Sequence, residues 1–172
     1  MVEFENVLAI GIDPGTATTG YGLVRMEPDA SLHLIDYGVI RTSYKSPMSE
    51  RLIQLHQALV EVIAEHKPRT SAVEKLFFQR NVTSALSVGQ ARGVAMLALA
   101  EAKVPVGEYT PMEIKQAVAG YGGADKRQIQ LMVQRLLHMK EQPSPDDAAD
   151  ALAVAICHLQ SSRTQRRIEG AQ

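Results

Sequence analysis

Val7-Leu-Ala-Ile-Gly-Ile-Asp13-Pro-Gly15 reads as a short apolar strand that ends on an acid and turns at Pro14-Gly15. Alternation sets Leu8, Ile10 and Ile12 on one face and Val7, Ala9, Gly11 and Asp13 on the other. The bulky face is expected in the core, and the small-residue face leaves space in front of Asp13. Downstream, Gly20 to Met26 and Leu32 to Thr42 read as two further strands, joined by the hairpin turn Glu27-Pro-Asp-Ala30. Three consecutive strands therefore open the chain.

Helical spacing follows, with Leu52, Leu55, Leu59, Val62 and Ile63 on one stripe of residues 49–66, and Pro68 ends that helix. Ser71-Ala-Val-Glu74 reads as a fourth strand. Asn81 to Lys103 reads as a long helix whose ridge of Ala85, Gly89 and Gly93 lets another backbone approach, either the sheet or a second subunit. Val104 to Tyr109 is a fifth strand. Two helices, about 111–119 and 125–139, flank the joint Gly120-Tyr-Gly-Gly123. Ser144-Pro145-Asp146-Asp147 reads as a helix start, with Ser144 as cap and Pro145 in the first position, running to about Leu159. The polar tail, 160–172, is expected to fray.

Three antiparallel strands followed by two parallel ones, linked by helical crossovers, make a mixed five-stranded α/β sheet of ribonuclease-H-like type with helices on both faces. At 172 residues the chain is expected to be one such domain, 1–172, ordered over about 7–159. With 45% hydrophobic and 22% charged residues, disorder, collagen-like repeats and coiled coils are excluded. A single cysteine, Cys157, in an apolar run reads as a buried thiol of a reducing compartment. With no basic leader and no long apolar run, neither secretion nor membrane insertion is expected.

The net charge of −1 hides an asymmetry. Residues 1–66 hold 4 Lys/Arg against 9 Asp/Glu, residues 67–140 hold 11 against 5, and residues 141–172 hold 3 against 5. The basic middle of the chain suits phosphates, and an acidic cluster is expected elsewhere.

Four acids make that cluster. Asp13 ends the first strand, and Glu74 lies in a strand whose neighbours are apolar, so its charge needs a partner or a cation. Asp147 and Asp150, three apart, share one face of the last helix, while Asp146 points about 100° away; the helix dipole accounts for acids at 146 and 147, and less well for Asp150. In this topology the first and fourth strands are neighbours and the last helix packs across them, so Asp13, Glu74, Asp147 and Asp150 converge. Such a set repels itself unless divalent cations neutralise it. Oxygen donors suit Mg²⁺ or Mn²⁺, and two ions about 4 Å apart can activate a water and stabilise the leaving oxygen of a phosphodiester. The chain has no phosphate-loop motif, no Gly-x-Ser-x-Gly elbow and no zinc spacing, and His33, His56, His66, His138 and His158 are scattered. Each histidine reads as surface or packing.

Gly11-Ile-Asp-Pro-Gly15 with Thr19-Gly-Tyr-Gly22, Glu74-Lys-Leu-Phe77, Gly89-Gln-Ala-Arg-Gly93 and Asp147-Ala-Ala-Asp-Ala-Leu152 resemble the motifs of the RuvC-type Holliday junction resolvases, in the family's order over about 7–159. The resemblance implies a cytoplasmic bacterial homodimer that nicks two like-polarity strands of a four-way DNA junction with Mg²⁺, leaving 5′-phosphate and 3′-hydroxyl ends. Two ions per subunit are implied, and Mn²⁺ can substitute. The metal ligands implied are Asp13, Glu74, Asp147 and Asp150; the third is a histidine in some members. Lys115 and Lys126 match the family's two functional lysines, at the phosphates around the scissile bond, and Phe77 its aromatic that stacks on a base of the opened junction. Phe78 reads as core. Arg80, Asn81 and Arg127 are further expected DNA contacts, with Asn81 also a helix cap, and the RuvAB branch-migration helicase is the implied partner.

Three other readings compete. A YqgF-like nuclease of the same fold acts on structured RNA, but the Glu74 and Gly89 motifs favour the resolvase. An actin-like ATPase, suggested by Asp13-Pro-Gly-Thr16, needs roughly twice this length. A junction binder that does not cut is disfavoured by acids at all four positions.

Overall fold

The computed structural model describes residues 6–75 and 82–169. Phe77, Phe78, Arg80 and Asn81 lie outside the described residues. The strands are β1 (Val7–Asp13), β2 (Thr18–Met26), β3 (Leu32–Arg41), β4 (Thr70–Glu74) and β5 (Val106–Tyr109), and the helices are α1 (Met48–His66), α2 (Val82–Glu101), α3 (Pro111–Ala119), α4 (Lys126–Leu136) and α5 (Asp146–Glu169). The sheet order is β3-β2-β1-β4-β5, with β1–β2 and β2–β3 antiparallel and β1–β4 and β4–β5 parallel. This is the mixed sheet that the sequence predicts. The 27–30 hairpin closes through Ala30 N–H to Glu27 O, and the Asp29 carboxylate accepts from the Ser31 amide and hydroxyl.

Both faces of the sheet are buried. Ile10, Ile12 and Leu23 join Leu55, Leu59 and Ile63 of α1 and Ala91, Ala95 and Leu99 of α2 in one core. Ala9, Val24 and Ala72 join the other core with α3, α4 and α5. The small-residue face of β1 thus does not simply stand open: it admits the backbone of α5 and opens only at Asp13.

Glycines set that approach. A Cβ at Gly11 would lie 2.1 Å from the Ala151 carbonyl oxygen, and one at Gly20 would lie 1.9 Å from that of Asp147. Gly20 is paired with Asp13 across β1–β2. Helix α5 therefore lies over β1 and β2 as well as beside β4, rather than across β1 and β4 alone. Every residue of α5 from Ala148 to Leu159 is buried except Asp150, which opens toward the acids. We expect Gly20→Ala to lower the urea unfolding midpoint by an amount worth about 1–3 kcal/mol, the usual cost of overpacking. An unchanged midpoint would mean that α5 is not seated on this glycine.

Two sequence expectations are corrected, and a third is narrowed. Helix α5 does not end near Leu159 but continues to Glu169, because side chains one turn apart support the polar turns: Thr164 Oγ1 donates to Gln160 O at 3.0 Å, and Gln165 Nε2 to Glu169 Oε1 at 3.1 Å. The helix starts one residue late for the predicted cap: Ser144–Pro145 is cis, and the Pro145 carbonyl accepts from the Ala148 and Ala149 amides. Of the ridge Ala85, Gly89 and Gly93, for which the sequence allows either the sheet or a second subunit, Gly93 does not meet the sheet: a Cβ there would meet nothing within 4 Å, and the buried residues of α2 are Ala91, Ala95, Ala98 and Leu99. Helix α2 is also the one helix among the described residues long and apolar enough, by length and composition, to cross a membrane.

Cys157 is buried, as expected, and burial pushes its thiol up to about 11. His158 is a packing residue: burial pushes it down to about 4, and its ring bridges Thr70 Oγ1 at 2.6 Å and the Tyr109 hydroxyl at 2.9 Å, tying α5 to β4 and β5.

Candidate active site

The parallel register pairs Gly11 with Ala72 and Ile12 with Val73, so Asp13 and Glu74 are the next residues of adjacent strands, at their carboxyl ends. Alternation turns both toward the α5 face, with Ala9 and Ala72 beneath them. The first turns of α5, seated on Gly20, bring Asp147 and Asp150 to the same place. All four are half-buried.

Electrostatics records the convergence. Burial pushes the Asp13 carboxyl up to about 7, and repulsion from Asp150, Asp147 and Glu74 adds to it, with Lys126 opposing. Glu74 is raised by burial and then by Asp150, with Lys115 opposing. Asp150 is raised by burial against the attraction of Lys126. Each of these carboxyls is harder to ionise than in water first because it is partly buried and then because acids lie near it.

The same cluster is not closed as it stands. Among the described residues no three Asp, Glu, His or Cys side chains converge on a single cation position. An ammonium holds one of the acids instead: Lys126 Nζ lies 3.3 Å from Asp150 Oδ2 and 3.1 Å from Asp146 Oδ2. By their chemistry, four partly desolvated carboxylates at one end of the sheet are hard oxygen donors of the kind that suit a divalent cation such as Mg²⁺.

Lys115 on α3 and Lys126 on α4 stand with Glu74 and Asp150 around a cleft of about 220 Å³ floored by Ile114, Ile129, Ala153 and Val154. Both lysines predicted from sequence are therefore at the acids. Helix α3 is held by a capping box of Thr110 and Glu113, and α4 by one of Asp125 and Gln128, which fixes where each lysine starts. Arg127 is exposed on the first turn of α4, and Lys126, rather than Arg127, faces the acids.

Two contributors are not foreseen from the sequence. Arg92 donates from Nε to the Glu74 carbonyl at 3.4 Å and pairs through Nη2 with Glu108, so it clamps the end of β4 to β5. Its signal lies in Gly89-Gln-Ala-Arg-Gly93, a motif that by itself gives the arginine no role. Thr16 and Ser87 share a hydrogen bond of 2.6 Å that ties the turn after Asp13 to α2, and a hydroxyl-lined groove between them reaches Asp147. No sequence pattern announces that contact, because it joins residues 71 apart.

Residues 9–158 match the family model described as Crossover junction endodeoxyribonuclease RuvC. The chain is 57% identical over 159 residues to the crossover junction endodeoxyribonuclease RuvC of Chloroflexus aurantiacus, covering 92% of this chain and 96% of that protein. It is 54% identical over 165 residues to that of Desulfitobacterium hafniense, covering 96% and 99%. Among solved structures, Thermus thermophilus RuvC in complex with a Holliday junction substrate superposes with a TM-score of 0.88 at 40% identity, over 92% of this chain and 96% of that one.

Proposed function

The chain belongs to the RuvC family of crossover junction endodeoxyribonucleases, and on that premise we propose that it resolves four-way DNA junctions by paired, symmetric hydrolytic nicks. The observation that carries the mechanism is the meeting of Asp13, Glu74, Asp147 and Asp150 where β1, β4 and the start of α5 end together. These four would hold Mg²⁺, with two ions per subunit and Mn²⁺ as a substitute. A bound divalent cation supplies Lewis acidity to the phosphodiester and lowers the pKa of water. The chain's own residues do the rest. The carboxylates orient the scissile phosphate's surroundings, and Lys115 and Lys126 place positive charge beside its non-bridging oxygens, where negative charge grows as the strand breaks. The products are 5′-phosphate and 3′-hydroxyl ends.

Phe77 is assigned to stack on a base at the opened junction, a contact typically worth about 1–3 kcal/mol. Arg80, Asn81 and Arg127 are assigned to the DNA backbone. Such phosphate contacts are sequence-independent and weaken with salt. RuvAB as a partner and a cytoplasmic location follow from the family reading. The names of the relatives favour DNA junctions over structured RNA.

Two sites are needed for paired nicks, and α2 offers a surface for a symmetric dimer. Val82, Leu86 and Leu97 are 81%, 65% and 52% exposed beside the open Gly93. That face is where a second copy would bury apolar area, which leaves the ridge read from sequence to the second of its two alternatives. Each Leu buried in an interface contributes about 1.5–3 kcal/mol, and a two-fold interface counts it twice. We therefore expect Leu86→Glu to weaken self-association at least about a hundredfold by analytical ultracentrifugation. An unaltered association constant would place the dimer elsewhere.

Cleavage of a labelled synthetic four-way junction with Mg²⁺, beside a linear duplex of the same sequence, tests the whole reading. Paired symmetric nicks on the junction alone are expected. Tight binding with no nicks in either Mg²⁺ or Mn²⁺ would leave a junction binder and end the nuclease assignment.

A further inference from the structure

Asp147 and Asp150 belong to the carboxylate cluster, but Asp146, at the first position of the same helix, turns outward. Its two oxygens are nevertheless both engaged. Oδ2 pairs with Lys126 Nζ at 3.1 Å, and Oδ1 accepts from Gln130 Nε2 at 2.9 Å. Lys126 and Gln130 are one helical turn apart on α4, so a single carboxylate clasps the exposed side of α4 to the start of α5. The same ammonium lies 3.3 Å from Asp150 Oδ2. Lys126 is thus shared between one acid inside the cluster and one outside it.

We propose that Asp146 is a positioning residue: it gives Lys126 a second carboxylate, so that the ammonium can release Asp150 to an incoming divalent cation and still remain at the edge of the site. The inference rests on the metal-site reading above and adds to it a residue outside the four acids. Without Asp146, the nearest carboxylate left to Lys126 is Asp150, and the ammonium competes with the cation for that oxygen. Gln130 acts on the same contact at one remove, by holding Asp146 toward α4.

The test is Mn²⁺ binding to the DNA-free protein by titration calorimetry, which needs no turnover. Asp146→Asn is expected to weaken Mn²⁺ binding about threefold, the scale of an exposed ion pair. The loss should vanish when Lys126 is already Met, because the competitor is gone. Gln130→Leu, which changes no charge, should shift binding in the same direction by less. Equal weakening in the two Lys126 backgrounds would mean that Asp146 acts only as one more negative charge and would overturn the proposal, as would unchanged binding in the parent background. If the unaltered protein binds no Mn²⁺, the metal-site reading fails first, and this inference falls with it.

Discussion

Asp13→Asn is expected to reduce junction cleavage at least about a thousandfold while leaving junction binding in place. Asp13 is the acid on which the other three act: Asp150, Asp147 and Glu74 all raise its carboxyl. Asp13 would offer a bound divalent cation both an oxygen donor and a full negative charge. Asparagine keeps the shape and one oxygen but removes the charge. Electrophilic assistance from a divalent ion contributes several kcal/mol to phosphoryl chemistry, and about 4 kcal/mol corresponds to a factor of a thousand. Binding would follow a different set of residues, because on the proposed reading phosphates are met by Lys115, Lys126 and the basic surface. The substitution also lowers repulsion between the cluster and the DNA, so affinity should hold or rise. Single-turnover cleavage and a gel-shift titration on the same junction separate the two quantities. A variant that still cuts at a comparable rate would remove Asp13 from the metal set; parallel loss of cutting and binding would mean that the substitution had damaged the fold.

Two of the four acids are legible in the sequence because they break a local rule. Glu74 follows Ala72-Val73 in a strand whose other residues are uncharged, and Asp150 stands past the turn that a helix dipole explains. Joined to a topology that puts the first and fourth strands side by side, they converge. The helix that completes the site is less legible. Helix α5 is wrapped by the sheet on one side and by α3 and α4 on the other, so its apolar residues run almost continuously from Ala148 to Leu159 and leave no periodic stripe from which to read its seat. Its position is written instead in the partners it lacks: Gly11 and Gly20 mark where its backbone touches the sheet, and this is information carried by small residues on other strands. The polar turns after Leu159 offer no hydrophobic signal at all, and short-range hydrogen bonds decide them. Arg92 and Asp146 are hidden for a related reason. Each touches a candidate site residue through a contact that the fold makes across elements, Arg92 to Glu74 and Asp146 to Lys126.

The substitution that abolishes cutting should also make the metal-free protein more stable at alkaline pH. The Asp13 carboxyl has an ordinary value of 3.8 and stands near 7 in the folded chain, raised first by burial and then by its acidic neighbours. Between those two values the folded protein holds a proton that the unfolded chain has released. The folded state therefore binds more protons there, and stability falls as pH rises from about 4 to about 7, then levels. Taken alone, a carboxyl moved that far costs the folded state about 4 kcal/mol above pH 7, an upper bound because Glu74 and Asp150 titrate with Asp13. Asparagine at position 13 cannot ionise and escapes the loss. Urea unfolding in the presence of a chelator should give similar stabilities for parent and variant near pH 4, and a clear advantage for the variant at pH 8. Mg²⁺ should then reverse the order at pH 8, since it binds the folded parent and raises its stability by mass action while the variant gains little. A difference between the two proteins that is the same at both pH values, with and without Mg²⁺, would mean that the charge on Asp13 is not what sets the strain in this cluster, and that the four carboxylates are held apart more effectively than their meeting at one end of the sheet implies.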